Sequence, residues 1–439
     1  MIYFISLICF LLPSYLVRFN VFSVPTTLLE VLIYVAAVIT IVKFSISNFQ
    51  FSNKSKISKS QIPNQLLKSI THSQLLIPIL LFLLAGIISI FVAPDKREAL
   101  GLFKAYVFDP ILFFFIVFAN VKNKNDVTLI FKALILSGFL VALHAIWQRM
   151  TGQLTPDGRV IGLFGFSANY LALYLAPLAV LTFCYQIFTM EDQYDFSNYK
   201  RVWYYDVIFL AMILAIWLSG SRAALGAVIL GIIAFSVIKY WSWIKARHTI
   251  KILLYCSIAL LLIVGWQIIK PNWQLASGEG GRITSSNNIR WEIWKTTVKD
   301  ILPSSTGWRI NWLLGVGPGE YQNYFTILTK DRVNFPEWIS PMALTPHNLF
   351  LTIWVNLGLL GLVAFIWLLI IFFKLTAHHL QSRASRNYCL LLITLMLTLL
   401  IQGIADSPYW KNDLAVFFWV ILALSFSVNN LMLENEKNV

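Results

Sequence analysis

Charge is what this chain has least of. Only 12% of its 439 residues are charged, about half the share of a soluble globular protein. That excludes a protein with a fully solvated surface. Cysteine is scarce too. Cys9, Cys184, Cys256 and Cys389 all fall inside apolar stretches, so neither a disulfide framework nor a metal-ligand spacing is present. The outer loops predicted below hold no run of acidic residues and no Asp-x-Asp, and sugar transfer through a bound cation usually needs carboxylates to hold it. A Walker-type phosphate loop, a Gly-x-Ser-x-Gly elbow and a His/Cys cluster are also missing. No metal and no cofactor is expected. A phosphate leaving group would then have to be neutralised by fixed cations such as arginine.

What the chain has in abundance is apolar sequence, at 58% of residues and a mean hydropathy of +0.72. A membrane-spanning helix needs roughly 20 such residues. Twelve stretches qualify, near 1–20, 25–46, 75–93, 102–120, 127–148, 163–189, 204–219, 222–239, 251–270, 347–374, 387–404 and 412–432. The expected fold is an all-α polytopic membrane protein of about twelve helices. Arg18 is the first basic residue and no small-x-small site follows, so the N-terminus reads as a spanning helix and not as a cleaved signal. The net charge of +14 follows the positive-inside rule and does not point to nucleic acid. Lys54, Lys56, Lys59 and Lys68 share one loop, Lys122 and Lys124 the next, then Lys200 and Arg201. Lys239, Lys245, Arg247 and Lys251 follow, then Lys374, Arg383 and Arg386. Alternation with sparser loops sets both termini in the cytoplasm.

By that count residues 271–346 form one large outside loop between the ninth and tenth stretches. It holds Trp273, Trp291, Trp294, Trp308, Trp312 and Trp338, enough to pack a small cap. Asn288 is placed to cap a helix reaching about Ile301, with Ile289, Ile293 and Trp294 on one face. Leu314 to Gly319 must turn, because Gly and Pro punctuate it so densely.

Several residues stand out against this background. Arg222, in Ser219-Gly220-Ser221-Arg222, lies in a tight outward junction that leaves little loop to hold it in water. It is either an interfacial arginine snorkelling to headgroups or a planar fork for phosphate. Arg290 opens the loop helix one turn before Trp294, and Arg282 competes with it after Gly280-Gly281. Each reads equally as a solvated arginine. The glycine turn, Gly317 included, suits either anion binding through backbone N–H groups or an ordinary bend. His347 follows Pro346 at the start of an apolar helix. There the positive end of the helix dipole disfavours imidazolium, and a neutral ring can act as a base. Gly358 and Gly361 are expected to admit a close helix neighbour. Asp109 and Glu30 lie inside apolar stretches, with Lys104 one turn from Asp109 as a partner. Arg159 and Asn169 flank the outer end of the sixth stretch.

In this order the motifs resemble those of the O-antigen ligase and Wzy-type polymerase superfamily of bacterial integral-membrane glycosyltransferases. The resemblance runs over about 159–372. It rests on Arg159-x-x-Gly162 with Asn169, Ser219-Gly220-Ser221-Arg222, Arg290-x-x-x-Trp294, Gly315-Val316-Gly317-Pro318-Gly319, and His347-Asn348-x9-Gly358-x-x-Gly361. It implies metal-independent transfer of a glycan from an undecaprenyl-pyrophosphate carrier to an acceptor hydroxyl. The acceptor would be lipid A–core or another surface or lipid-linked glycan. The site would face the periplasm or exterior of the bacterial plasma membrane. It makes His347 the catalytic residue and Arg222 and Arg290 the pyrophosphate ligands. Arg159, Asn169, Arg282, Asn348 and Gly317 are further candidates, and Gly358 and Gly361 are structural. The chain then divides into helices over 1–158, a ligase-like core over 159–374, and two helices with a tail over 375–439. A polymerase with the same donor is the alternative. A flippase or small-solute transporter is the rival from another class, since twelve helices with both ends inside suit transporters. A non-catalytic scaffold of an export complex is a third, and it would tolerate loss of His347.

Overall fold

The computed structural model describes residues 1–21, 24–52, 74–156, 158–164, 167–191, 202–240, 286–306, 309–332, 343–382 and 385–437. Among them the fold is almost wholly helical. In chain order the main elements are α1 (Ile2–Phe10), a hairpin of β1 (Arg18–Val21) and β2 (Val24–Thr27), α2 (Leu28–Ser52) and α3 (Leu76–Val92). Then come α4 (Lys96–Asn120), α5 (Lys124–Thr151), α6 (Ala168–Glu191), α7 (Tyr204–Leu218) and α8 (Arg222–Lys239). The loop contributes α9 (Ser286–Thr296) and α10 (Tyr321–Thr329). The chain ends with α11 (Leu349–His378), α12 (Arg386–Ala405) and α13 (Asn412–Lys437).

Eight of these helices are long and apolar enough to cross a membrane, and α3 and α7 are shorter apolar helices. The protein is a polytopic helical membrane protein. One of the twelve expected spans is corrected. Residues 1–20 are not a single helix, because Pro13 and the Leu12–Leu16 3-10 turn end α1 after nine residues and β1 follows. At 1.5 Å per residue α1 is about 13 Å long, too short for a hydrocarbon core of about 30 Å. The expected span at 251–270 lies outside the described residues.

Two helices are bent where the sequence marks them. In α4 a π-helical turn, Lys104–Phe108, precedes Asp109-Pro110. Proline lacks an N–H and crowds the carbonyl four residues back. That carbonyl, on Tyr106, instead accepts from the Tyr409 hydroxyl at 2.7 Å. The carboxylates nearby are paired differently from expectation. Lys104 bonds Glu30 at 2.8 Å, and Asp109 takes the Tyr34 hydroxyl at 2.8 Å. In α11 the break is Gly358, with φ 71° and ψ −176°, a conformation open essentially to glycine alone. A loop packs into this break. The Val316 N–H donates to Val355 O at 2.7 Å, and a Cβ on Gly358 would stand 2.4 Å from Leu313 O. So Gly358 admits loop backbone where a helix neighbour was expected. Gly361 faces α3, where its Cβ would stand 3.5 Å from that of Ala85.

The core runs through the bundle as one apolar cluster. Its centre is α13, where Trp419 and the run Val420 to Leu424 are fully buried. A second, smaller cluster of Ile293, Ile301, Leu302, Val316, Tyr321 and Phe325 holds the loop together. Arg332 clamps it by bonding Asp300 at 2.6 Å and Thr296 at 3.0 Å. The expected loop helix is present as α9 followed by a π-helical turn, Thr297–Ile301.

Candidate active site at the end of α12

The site is built around the short turn 406–411 between α12 and α13. Asn348 caps α11, its Oδ1 accepting from Leu351 N at 3.0 Å, and its amide nitrogen donates to Ile404 O at 3.0 Å. The helix therefore begins one residue after its cap, at Leu349, and His347 stands before it. This tie brings His347 beside the end of α12. Its Nδ1 lies 3.3 Å from Asp406 Oδ1, a long hydrogen bond, with the two side chains 34% and 14% exposed. Ser407 supports the carboxylate through its N–H at 2.8 Å. Its hydroxyl bonds Thr352 at 2.6 Å.

His347 has φ 50°. It is the one non-glycine residue with positive φ among those described. That conformation costs on the order of 1–3 kcal/mol and persists where surrounding contacts over-determine it. The contacts are visible on both sides. Asn348 is anchored to α12, and Trp294 Nε1 donates to Pro346 O at 2.9 Å. The second bond also docks α9, and with it Arg290, against the histidine. Burial alone would raise the Asp406 carboxyl. The His347 hydrogen bond and charge, the Arg290 charge and the Ser407 N–H outweigh burial and hold it below the usual carboxylate range. Asp406 thus bonds His347 and lies within electrostatic reach of Arg290. A carboxylate beside Nδ1 orients the ring and turns Nε2 away from it.

Arg222 reaches the same end of the bundle by another route. Arg386 Nη2 donates to Lys239 O at 2.9 Å, so the start of α12 meets the end of α8. Midway, a Cβ on Gly231 would lie 2.5 Å from Thr398 Oγ1. From there Arg222 is about 13.5 Å along α8 and Asp406 about 12 Å along α12, at 1.5 Å per residue. The start of α8 and the end of α12 are therefore level. Arg222 is exposed and has no ion pair among the described residues. Arg159 lies over the adjoining junction, its Cδ 2.8 Å from where a Cβ on Gly220 would be. Asn169 sits in the first turn of α6, which Gln402 joins to α12 through Ala172 O at 3.2 Å.

Not every candidate converges. Gly317 packs on Ala93, where a Cβ would be 2.7 Å from the Ala93 Cα, so its role there is close packing. Arg282 lies outside the described residues. Carboxylates distant in sequence do meet near Gly319. Glu320 accepts from Asp95 N at 3.4 Å, and Glu98 lies beside both. No group of three or more metal-ligating residues occurs among the described residues.

Asp406 was not singled out by sequence. Its signal was there: a carboxylate closing an apolar stretch at a face where cations had already been placed. Pairing it with His347 needs the fold, because 59 residues separate the two.

Residues 207–366 match the O-antigen ligase family. The resemblance read from the motifs is borne out over that segment, just over a third of the chain. It holds Arg222, Arg290, His347, Asn348, Gly317, Gly358 and Gly361, whereas Arg159, Asn169 and Asp406 lie beyond it. That similarity supports a membrane glycosyltransferase of the ligase or polymerase type. No curated protein matches the chain.

Proposed function

We propose that this protein is an O-antigen ligase-like transferase. It moves a glycan from undecaprenyl pyrophosphate to an acceptor hydroxyl on the outer face of the bacterial plasma membrane, without a metal. The observation that supports this most is that Asp406, at the end of α12, bonds His347 and lies within electrostatic reach of Arg290, level with Arg222. In this reading Asp406 holds the Nδ1 proton. His347 Nε2 takes the acceptor hydroxyl proton as the oxygen attacks the anomeric carbon. The bond from that carbon to the pyrophosphate breaks, and undecaprenyl pyrophosphate leaves with the bonding pair. Arg222 and Arg290 neutralise the departing charge, since a guanidinium keeps its charge and binds phosphate oxygens in a fork.

General base catalysis supplies roughly 10²–10⁴-fold. Positioning and fixed charge on the leaving group supply the larger remainder. The lipid tail would lie in the bilayer, bringing the diphosphate to the level where α8 begins and α12 ends.

The test is purified protein given a carrier-linked glycan and candidate acceptors, with products sized on a gel. A single glycan added per acceptor supports the ligase reading, and a ladder of repeats indicates a polymerase. EDTA should leave the rate unchanged, and loss of product on chelation would contradict the metal-free mechanism.

A further inference from the structure

The turn that carries Asp406 ends in a second polar group that the transfer chemistry does not use. Lys411, partly buried, rests its ammonium 3.1 Å from the centre of the Tyr170 ring. No oxygen accepts from it among the described residues, although an ammonium has three donors to satisfy. Two residues on, Asp413 is 2% exposed, and its Oδ1 has no hydrogen-bond partner. Asp413 lies within electrostatic reach of Lys411, Tyr15, Tyr106 and Tyr174. The Trp410 ring sits 5.0 Å from that of Tyr106, on the π-helical turn of α4. A partly exposed ammonium without a protein acceptor, a buried carboxylate oxygen without a partner and several aromatic faces thus lie close together. Buried polar atoms are rarely left without partners.

We propose that Lys411 and Tyr170 form a subsite for a saccharide that carries an anionic group. The ammonium binds the carboxylate or phosphate of the sugar, and Tyr170 covers a ring face. The subsite rests on the glycan-transfer reading only for the kind of ligand. Its position fits that reading. Packed helices lie about 8–10 Å apart, so Lys411, at the start of α13, stands one or two sugar rings from Asp406 at the end of α12. Burial pushes the Lys411 ammonium down to about 7, a cost that an anionic ligand would relieve. The anion belongs either to the donor glycan or to the acceptor.

Binding of cellobiouronic acid and of neutral cellobiose to the detergent-purified full chain tests this directly, with Kd read by saturation-transfer NMR. The wild type should bind the acidic disaccharide about tenfold or more tightly than the neutral one. Lys411→Met should abolish the preference while leaving the neutral probe unchanged, and Lys411→Arg should keep it. Equal affinity for the two probes, no binding of either, or a preference that survives in Lys411→Met overturns the proposal. Transfer kinetics then separate the sources. A raised KM for donor alone in Lys411→Met places the anion on the donor, and for acceptor alone on the acceptor. His347→Ala should retain the preference. No glycan transfer by the wild type, with the binding preference intact, would defeat the transferase reading and leave the subsite standing.

Discussion

In the proposed mechanism, Asp406 is the residue on which the chemistry turns. With the carboxylate in place, the imidazole is held by Nδ1 and presents Nε2. Asp406→Asn removes the charge and lets the amide donate, which favours the opposite tautomer. Transfer should fall by roughly 10²-fold or more, with donor affinity little changed. A variant that transfers at the wild-type rate would separate Asp406 from the mechanism. Arg222→Lys keeps charge and loses the fork. Its donor Kd should rise, and an unaltered Kd would remove Arg222 from the pyrophosphate site. Lys411 makes a prediction of different sign. Its folded value, about 7, lies below its unfolded value of about 10.4. Protons therefore favour the unfolded chain in that window. Stability of the wild type relative to Lys411→Met should rise between pH 7 and about 10.4 and be flat on either side. A flat difference across that window in thermal unfolding would show that the ammonium is not buried in solution.

At the scale of elements, the two bends do different work. The bend in α4 releases the Tyr106 carbonyl, and Tyr409 recovers it while also accepting from Trp419 at 2.9 Å. Tyr409→Phe leaves that carbonyl without its partner and should cost about 1–3 kcal/mol, read as a lower Tm. The bend in α11 seats the loop. Gly358→Ala meets both a forbidden φ and the Leu313 carbonyl. It should destabilise the loop and speed proteolysis within 311–332, and unchanged cleavage would contradict the docking described here. Much of this level was legible in advance. Apolar length alone located the eight described helices long enough to cross a membrane, since hydrocarbon thickness sets helix length. The proline and 3-10 turn that cut α1 short were visible but are weak against a long apolar run. Lys104 was matched to Asp109 because they share a helix. The fold gives Lys104 to Glu30 of α2, a pairing across 74 residues that periodicity cannot show.

At the scale of the whole molecule, the end of α12 collects what the sequence scattered. Hydrogen bonds join it to the cap of α11 and to α6, and α8 runs beside it. His347 and the arginines were legible because an imidazole and guanidinium groups at a membrane boundary are unusual. The carboxylate beside His347 was not, because a lone carboxylate at a helix end is ordinary until the histidine is seen next to it. A solute carrier would place its polar site near the bilayer midplane, whereas these groups gather at one end of the bundle. The most direct measurement is glycan transfer by purified His347→Ala under saturating donor. The account predicts donor binding at wild-type affinity with turnover reduced by roughly 10²–10⁴-fold. Transfer at the wild-type rate by a folded His347→Ala protein would contradict it.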